Sequence, residues 1–519
     1  MLISAYYRLL RAGFVLAREG ALSILASHDL PAPLRLGVRL GRLVERPSVR
    51  RTGHVERLNR ALNRLGPTYV KFGQTLATRP DVVGAQIAND LQGLQDRVDP
   101  FDFALVPTIL ETALGTKATE LTQLSPAIAA ASIAQVHKSL LVPARGTPRT
   151  VSVKILRPGV NQRFRADIES FYAGARLANR WVRYTQRLKP VEIVETLDRS
   201  ARLELDLRLE AAAISEMAEN IRDDTGFRIP EVSWDHVAQN VLTTSWVEGI
   251  PIRDFAALDA AGIDRKALAA KVLQNFLKHV IRDGFFHADM HPGNLFADAK
   301  TGDVIAVDFG IMGRINRVER RFLADTLFGF ITRDYRLVAQ RHFDIGYVPA
   351  TQSVDDFTLA IRSIGEPLHG RTAADISMAK VLGQLFAITE IFSMQTRPEL
   401  VLLQKSMVLV EGVARSLDPD LDIWTVAEPV VGGWLRQQAG PLGLMEDAKE
   451  HLTTLGDMAG RLPVILREAE LALAEYRLDR LRPRRDGLLR GATLVLMGLA
   501  AVFLLLGIAT MATLLGGLS

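Results

Sequence analysis

Two short stretches constrain this 519-residue chain more than anything else in it. The first is His287-Ala288-Asp289-Met290-His291-Pro292-Gly293-Asn294, which sets an Asp and an Asn five positions apart in a loop. The second, nineteen residues after Asp289, is Asp308-Phe309-Gly310, directly behind the apolar run Val304–Val307. Either stretch alone is weak. A His/Asp loop is often a capped turn, and Asp-Phe-Gly occurs by chance. Together they match what phosphoryl transfer asks of a protein, which is positioning and charge neutralisation more than covalent chemistry. Asp289 is the candidate base or orienting group for the attacking hydroxyl. Asn294 and Asp308 are candidate ligands for Mg²⁺, a hard cation that prefers oxygen donors.

Such chemistry also needs an upstream lysine. Val151, Val153 and Ile155 alternate with Ser152, Lys154 and Leu156. That period-two pattern predicts a strand with Lys154 on the face opposite the valines, aimed into a cleft. There it would meet nucleotide phosphates and be held by a carboxylate. The segment Glu204-Leu205-Asp206-Leu207-Arg208-Leu209-Glu210 supplies candidates. If it is helical, Asp206 and Glu210 share a face and repel unless a cation sits over them, while Glu204 serves a different cation. Its alternating leucines also permit a strand, and a solvated acidic face is the plain alternative. Where a glycine-rich loop is expected, the chain has Pro126-Ala127-Ile128-Ala129-Ala130-Ala131-Ser132-Ile133. Each alanine adds a Cβ and resists positive φ, so Ala129, Ala130, Ala131 and Ser132 predict a tighter phosphate loop. Read in isolation, the same run is a small-residue helical turn. A further strand is predicted over Asn240–Trp246. Trp246 is open to adenine contact or to core packing, and Val247 beside it is assigned to the nucleotide. His287 and His291 have metal-pair spacing but flank a Pro-Gly-Asn loop, which favours structural histidines.

Together with Lys71-Phe72-Gly73-Gln74, flanked by Gly66-Pro67 and Arg79-Pro80-Asp81, these motifs resemble the UbiB family of atypical protein-kinase-like proteins, known for a role in ubiquinone (coenzyme Q) biosynthesis. The resemblance spans about residues 60–420. It implies that the helix of the K-x-G-Q motif folds over the active site, that Lys71 and Gln74 occlude or regulate it, and that Glu204 and Asp206 face them. It implies ATP or ADP as the nucleotide. It also implies ATP hydrolysis or transfer to a small molecule or lipid, tied to prenylated quinone precursors or to the enzymes that process them. A nucleotide-gated, non-catalytic scaffold for those enzymes is the alternative. Met290 stands where the family usually has Pro. No flavin fingerprint, haem-ligand set or iron triad is present for a hydroxylase.

The two ends of the chain point to a membrane. Gly491 to Leu518 carries no charge. As a helix it would be about 42 Å long, enough for one tilted crossing of a hydrocarbon core about 30 Å thick. Arg482, Arg484, Arg485 and Arg490 crowd its upstream flank, which places the body on the cytoplasmic side of a bacterial inner membrane. Residues 1–71 hold twelve Arg and Lys71 against Glu19, Asp29, Glu45 and Glu56. Such a front end suits anionic lipid, at about 1 kcal/mol per cation near the surface; nucleic acid is set aside as partner. The first helix, with Ile3, Tyr6, Tyr7, Leu10 and Phe14 between Arg8, Arg11 and Arg18, is interfacial or packed on the body, and does not read as a cleavable signal. The absence of cysteine excludes disulfides, thiol catalysis and zinc-thiolate sites. The expected fold class is α+β, an atypical kinase-like two-lobed fold. The expected order is a helical extension over 1–115, a β-rich lobe over 116–248, an α-rich lobe over 249–430, a linker over 431–487 and a transmembrane helix over 488–519.

Overall fold

The computed structural model describes residues 2–22, 53–77, 99–181, 190–368 and 398–438, with a few isolated positions between them. The predicted anchor and most of the linker before it lie outside the described residues. Among those described, no helix is long and apolar enough to cross a membrane.

The smaller lobe is an antiparallel sheet of β1 (Leu121–Thr122), β2 (Ala129–Ala130), β3 (Ala134–Leu141), β4 (Arg149–Leu156) and β6 (Val241–Ser245). Its order is β1-β3-β4-β6, with β2 also paired to β3. The valine alternation of β4 decides which face is which. Val151, Val153 and Ile155 are fully buried against Val106 and Leu110 of the helix Val106–Leu114. Lys154 lies on the opposite face, opposite Val136 on one neighbour and Leu242 on the other. β6 begins one residue later and ends one residue earlier than the predicted Asn240–Trp246 strand.

The larger lobe is helical around two small sheets. β5 (Phe227–Arg228), β10 (Val304–Ala306), β9 (Leu295–Ala297) and β7 (Ile250–Pro251) form one, in that order, and β8 (Phe285–His287) pairs with β11 (Met312–Arg314). The helix Arg265–Lys278 is its axis, with Leu268, Val272, Leu273 and Phe276 completely buried. Asp264 caps that helix by accepting from the Lys266 and Ala267 amides, and Asn316 with Glu319 forms a capping box on the helix Arg317–Ile331. The axis helix ends in a π turn, His279–Asp283, closed by Gly284 at φ 67°. A Cβ at Gly284 would also stand 2.5 Å from the Ile315 carbonyl oxygen, so this turn requires glycine.

The N-terminal helices form a third layer. The helix Pro67–Ala77, which carries the K-x-G-Q motif, packs Tyr69 and Val70 on Ile168, Phe171, Val194 and Leu197 of the helices Val160–Trp181 and Pro190–Glu204. Thr68 Oγ1 donates to Asp167 Oδ2 at 2.8 Å, and Arg8 of the first helix reaches Asp167 Oδ1 at 3.2 Å. The first helix, Leu2–Arg18, buries Ala5, Leu9 and Ala12 while Tyr7 and Phe14 stay exposed. Packing on the body, with Arg8 on Asp167, therefore describes one face, and the exposed aromatics with Arg11 and Arg18 describe the other.

Two outcomes follow from this packing. Asp167→Ala removes the buried acceptor of Thr68 and the partner of Arg8, a loss of about 1–3 kcal/mol. Hydrogen exchange should therefore accelerate across Pro67–Ala77 while the sheet of the smaller lobe keeps its protection. The second concerns His279, whose ring is fully buried edge-on to Phe227 at 4.7 Å and whose nitrogens have no hydrogen-bond partner among the described residues. Burial, reinforced by Arg282 and opposed by Asp224, holds its pKa down to about 3. The unfolded chain titrates near 6.5, so stability is present above that pH and is lost as pH falls toward 3, by about 1.4 kcal/mol per unit for this group. His279→Leu should show a smaller drop in melting temperature between pH 8 and pH 5 than the parent; an equal drop would contradict the assignment.

Candidate active site

Lys154 joins the two lobes. Its ammonium lies 2.9 Å from both carboxylate oxygens of Glu210 and 2.8 Å from Asp308 Oδ1. β4 places it by strand alternation. Glu210 is placed by a helix start: Asp206 caps the helix Leu207–Asn220 by accepting from the Arg208 amide, and Glu210 is buried in its first turn. Asp308 follows β10 at φ 64°, a left-handed backbone that a non-glycine residue holds at a cost of order 1–3 kcal/mol and that clusters at functional sites. One cation thus faces two carboxylates. The walls of the cleft shield the Asp308 carboxyl enough to push it up although half of the side chain is exposed, but Lys154 overrides this and holds the group well below the usual carboxylate range. Burial likewise raises Glu210, against the opposing pull of Lys154 and with help from Asp308, to about 7. Despite its burial, Lys154 is held above its ordinary value by Asp308 and Glu210.

The loop after β8 is built around His287. The Asp289 amide donates to His287 Nδ1 at 3.1 Å, so that nitrogen is unprotonated, and Nε2–H donates to the Val307 carbonyl at 3.1 Å. Burial keeps the ring neutral, against the pull of the Val307 carbonyl. The Phe309 ring lies 5.0 Å from it. His287 therefore ties the Asp289 loop to the Asp308 segment. The Val307 amide donates to the Asn294 carbonyl at 2.9 Å, and Asn294 Nδ2 donates to the Asp289 carbonyl at 3.0 Å. This leaves Asn294 Oδ1 as an oxygen donor one residue across the ladder from Asp308, whose side chain is 51% exposed. An amide oxygen and an open carboxylate fit Mg²⁺, which takes one or two protein ligands and completes its shell with phosphates and water. No group of three or more His, Cys, Asp or Glu forms a self-sufficient metal site among the described residues. His291 Nδ1 accepts from the Gly293 amide at 2.8 Å, so each of the two histidines accepts a backbone amide of this loop at Nδ1.

The alanine segment is a hairpin rather than a helical turn. β2 and β3 pair Ala129 with Val136 and Ala130 with Gln135, and the Ala131 amide donates to the Ala134 carbonyl at 2.8 Å. Positive φ occurs at none of Ala129, Ala130, Ala131 or Ser132, and Ser132 is buried at the tip. Arg157 donates from Nε to the Ala131 carbonyl at 2.9 Å and from its backbone to the Ile133 carbonyl. Its position directly after β4 was the available signal. Trp246 continues the ladder by donating to the Thr150 carbonyl, and the Lys138 ammonium sits 4.5 Å from its ring centroid. Val247 follows, partly buried, where the chain leaves the smaller lobe.

Lys71 is buried and pairs with Glu204 at 2.5 Å. Gln74 lies on the same helix, partly buried. Glu204 ends one helix and Glu210 opens the next, so the break at Leu205-Asp206 divides the acidic segment between two lysines. That break corrects the expected shared face of Asp206 and Glu210, and it also removes the strand alternative. As the helix cap, Asp206 is outside the helix, and its carboxylate forks with Arg208 at 2.9 and 2.6 Å.

Removing His287 tests this construction. His287→Leu leaves the Asp289 amide and the Val307 carbonyl unpaired in the interior, about 1–3 kcal/mol for each group. Melting temperature should fall, and exchange of the Asp289 and Asn294 amides should rise before that of β4.

Comparison with known proteins identifies the family. Residues 93–342 match the model of the ABC1 atypical kinase-like domain, and residues 361–422 match the UbiB helical domain. A protein of Marinobacter nauticus named probable protein kinase UbiB is 39% identical over 473 residues, covering 90% of this chain and 85% of that protein. Proteins of the same name from Xanthomonas axonopodis pv. citri and Aeromonas hydrophila are 38% and 35% identical, covering 85% and 97% of this chain and 84% and 93% of their own lengths. On these similarities, and with an atypical kinase-like α+β fold joined to a helical region, the chain belongs to the UbiB family of atypical kinase-like proteins.

Proposed function

We propose that this chain is a Mg²⁺- and ATP-dependent phosphoryl-transfer enzyme, an ATPase or a small-molecule or lipid kinase, that supports ubiquinone biosynthesis at the bacterial inner membrane. The observation that carries the reading is Lys154 held between Glu210 and Asp308 beside the Asp289–Asn294 loop. In this reading Lys154 receives nucleotide phosphates, the Ala129–Ser132 hairpin covers them, and Val247 lines the adenine side. Asn294 and Asp308 hold the metal, which supplies neutralisation of phosphate charge when bound. Asp289 orients the attacking hydroxyl and takes its proton. Lys71, Gln74, Glu204 and Asp206 govern access, because the helix Pro67–Ala77 is closed over this side by the Lys71–Glu204 pair. The relatives' shared name, probable protein kinase UbiB, supports the kinase class and the link to quinone synthesis. The partners proposed are anionic lipid, through the basic N-terminal region, and prenylated quinone precursors or the enzymes that handle them.

The closed Lys71–Glu204 pair also favours a second reading, a nucleotide-gated scaffold for membrane-bound biosynthetic enzymes. Complementation of quinone synthesis by Asp289→Asn separates the two: full rescue supports the scaffold. For the first reading, Asp308→Asn should lower metal-dependent ATP turnover by about 10²–10³, the cost of losing one electrostatic contact of this kind. Turnover at the parental rate would refute it.

A further inference from the structure

A third lysine approaches the site from a helix far along the chain. The helix Pro398–Leu417 packs Leu403, Val410 and Val413 into the core of the larger lobe. Ser406 on it is fully buried, with its hydroxyl 3.1 Å from the carbonyl of Ala288, the residue before Asp289, and 2.8 Å from the Leu402 carbonyl. The helix is therefore docked on the backbone of the Asp289 loop itself. Lys405, the neighbour of Ser406, is partly buried, and the charged groups around it are Asp289, Lys71 and Glu204.

The distribution of charge singles this lysine out. Lys154 is taken by Glu210 and Asp308, and Lys71 by Glu204. Among the described residues Lys405 has neither a hydrogen bond nor an ion pair. The loop from Asp289 to Asn294 has no Lys or Arg of its own. A phosphoryl group moving toward an acceptor held at Asp289 carries its negative charge away from Lys154, on the nucleotide side, and needs a cation on the acceptor side.

We propose that Lys405 is a catalytic residue, the acceptor-side cation that binds the transferred phosphoryl group opposite Asp289. The inference rests on the phosphoryl-transfer reading above. In the step, the acceptor O–H gives its proton to Asp289 and its oxygen bonds to the γ-phosphorus. The bond from that phosphorus to the bridging oxygen breaks, and ADP leaves with the electron pair. With water as acceptor the product is inorganic phosphate; with a lipid or phenol hydroxyl it is a phosphate ester. Lys405 neutralises the equatorial oxygens during transfer and releases the product anion. Burial and Lys71 lower the affinity of this amine for its proton, and Asp289 and Glu204 oppose them.

The test uses full-length chain in anionic phospholipid nanodiscs, with Mg-ATP turnover, Mg-ADP affinity and melting temperature measured for the parent and for Lys405→Met, Lys405→Arg and Asp289→Asn. The expected result is a fall in kcat of at least tenfold for Lys405→Met, with Mg-ADP affinity and melting temperature unchanged. Lys405→Arg should recover most of that loss and extend the alkaline limb of the pH profile. Parental kcat in Lys405→Met, with Asp289→Asn inactive, would overturn the role of Lys405 and leave the phosphoryl-transfer reading standing. Equal losses in Lys405→Met and Lys405→Arg with lowered melting temperatures would mark Lys405 as merely structural and also overturn it. Parental turnover in Asp289→Asn would instead overturn the reading on which it rests.

Discussion

An ammonium largely withdrawn from water must be compensated, and Lys154, whose side chain is 18% exposed, is compensated from two directions at once. An isolated charge in the interior costs many kcal/mol, and removing one partner of a buried pair costs about 3–5 kcal/mol. Glu210 reaches Lys154 from the helix Leu207–Asn220 and Asp308 reaches it from the end of a strand in the larger lobe. Neither lobe can drift far from the other without exposing an unpaired charge. The surplus is also informative. With two carboxylates for one cation the cluster is a net acceptor of positive charge, and Asp308 adds to the burial that raises Glu210 to about 7. A divalent ion on Asp308 would relieve that surplus and release Lys154 for other anions.

The second constraint is the interruption at Leu205-Asp206. Asp206 satisfies the amide that a continuous helix would have satisfied itself, which lets one helix end at Glu204 and another begin at Leu207. Glu204 then answers Lys71 in the covering helix, and Glu210 answers Lys154 in the sheet. Only the five residues Leu205 to Leu209 separate the carboxylate that meets the cover from the one on the nucleotide side of the cleft. Motion of the Pro67–Ala77 helix must pull on Glu204, and only Leu205 and Asp206 separate Glu204 from the helix that holds Glu210.

Much of this is legible in the sequence, for local reasons. Lys154 is assigned by period-two alternation, because a strand with one buried face leaves no second choice of side. The Asp289, Asn294 and Asp308 set is assigned by spacing, because a short hairpin between two small strands fixes where a loop and a strand end meet. The acidic segment is less legible. Leucines at every second position suit a strand, helical spacing suits a shared Asp206–Glu210 face, and a helix break with an Asp cap satisfies both patterns without being either. The hairpin made by the alanine segment was hidden because its register is set by Val136 and Gln135 and its tip by Arg157, none of which is visible in composition. Lys405 was invisible for a different reason: nothing in its own neighbourhood marks it, and its meaning comes from Ser406 touching the carbonyl before Asp289.

The claim that Lys154 and its carboxylates assemble the site is tested most directly by a double-mutant cycle on folding stability, with Lys154→Met, Glu210→Gln and the double variant unfolded in denaturant at pH 8. Residues coupled through a buried ion pair should show an interaction energy of about 1–3 kcal/mol, with the double variant more stable than the sum of the single losses implies. Strict additivity of the two losses would mean that the ammonium and the carboxylate act independently, and would contradict the account.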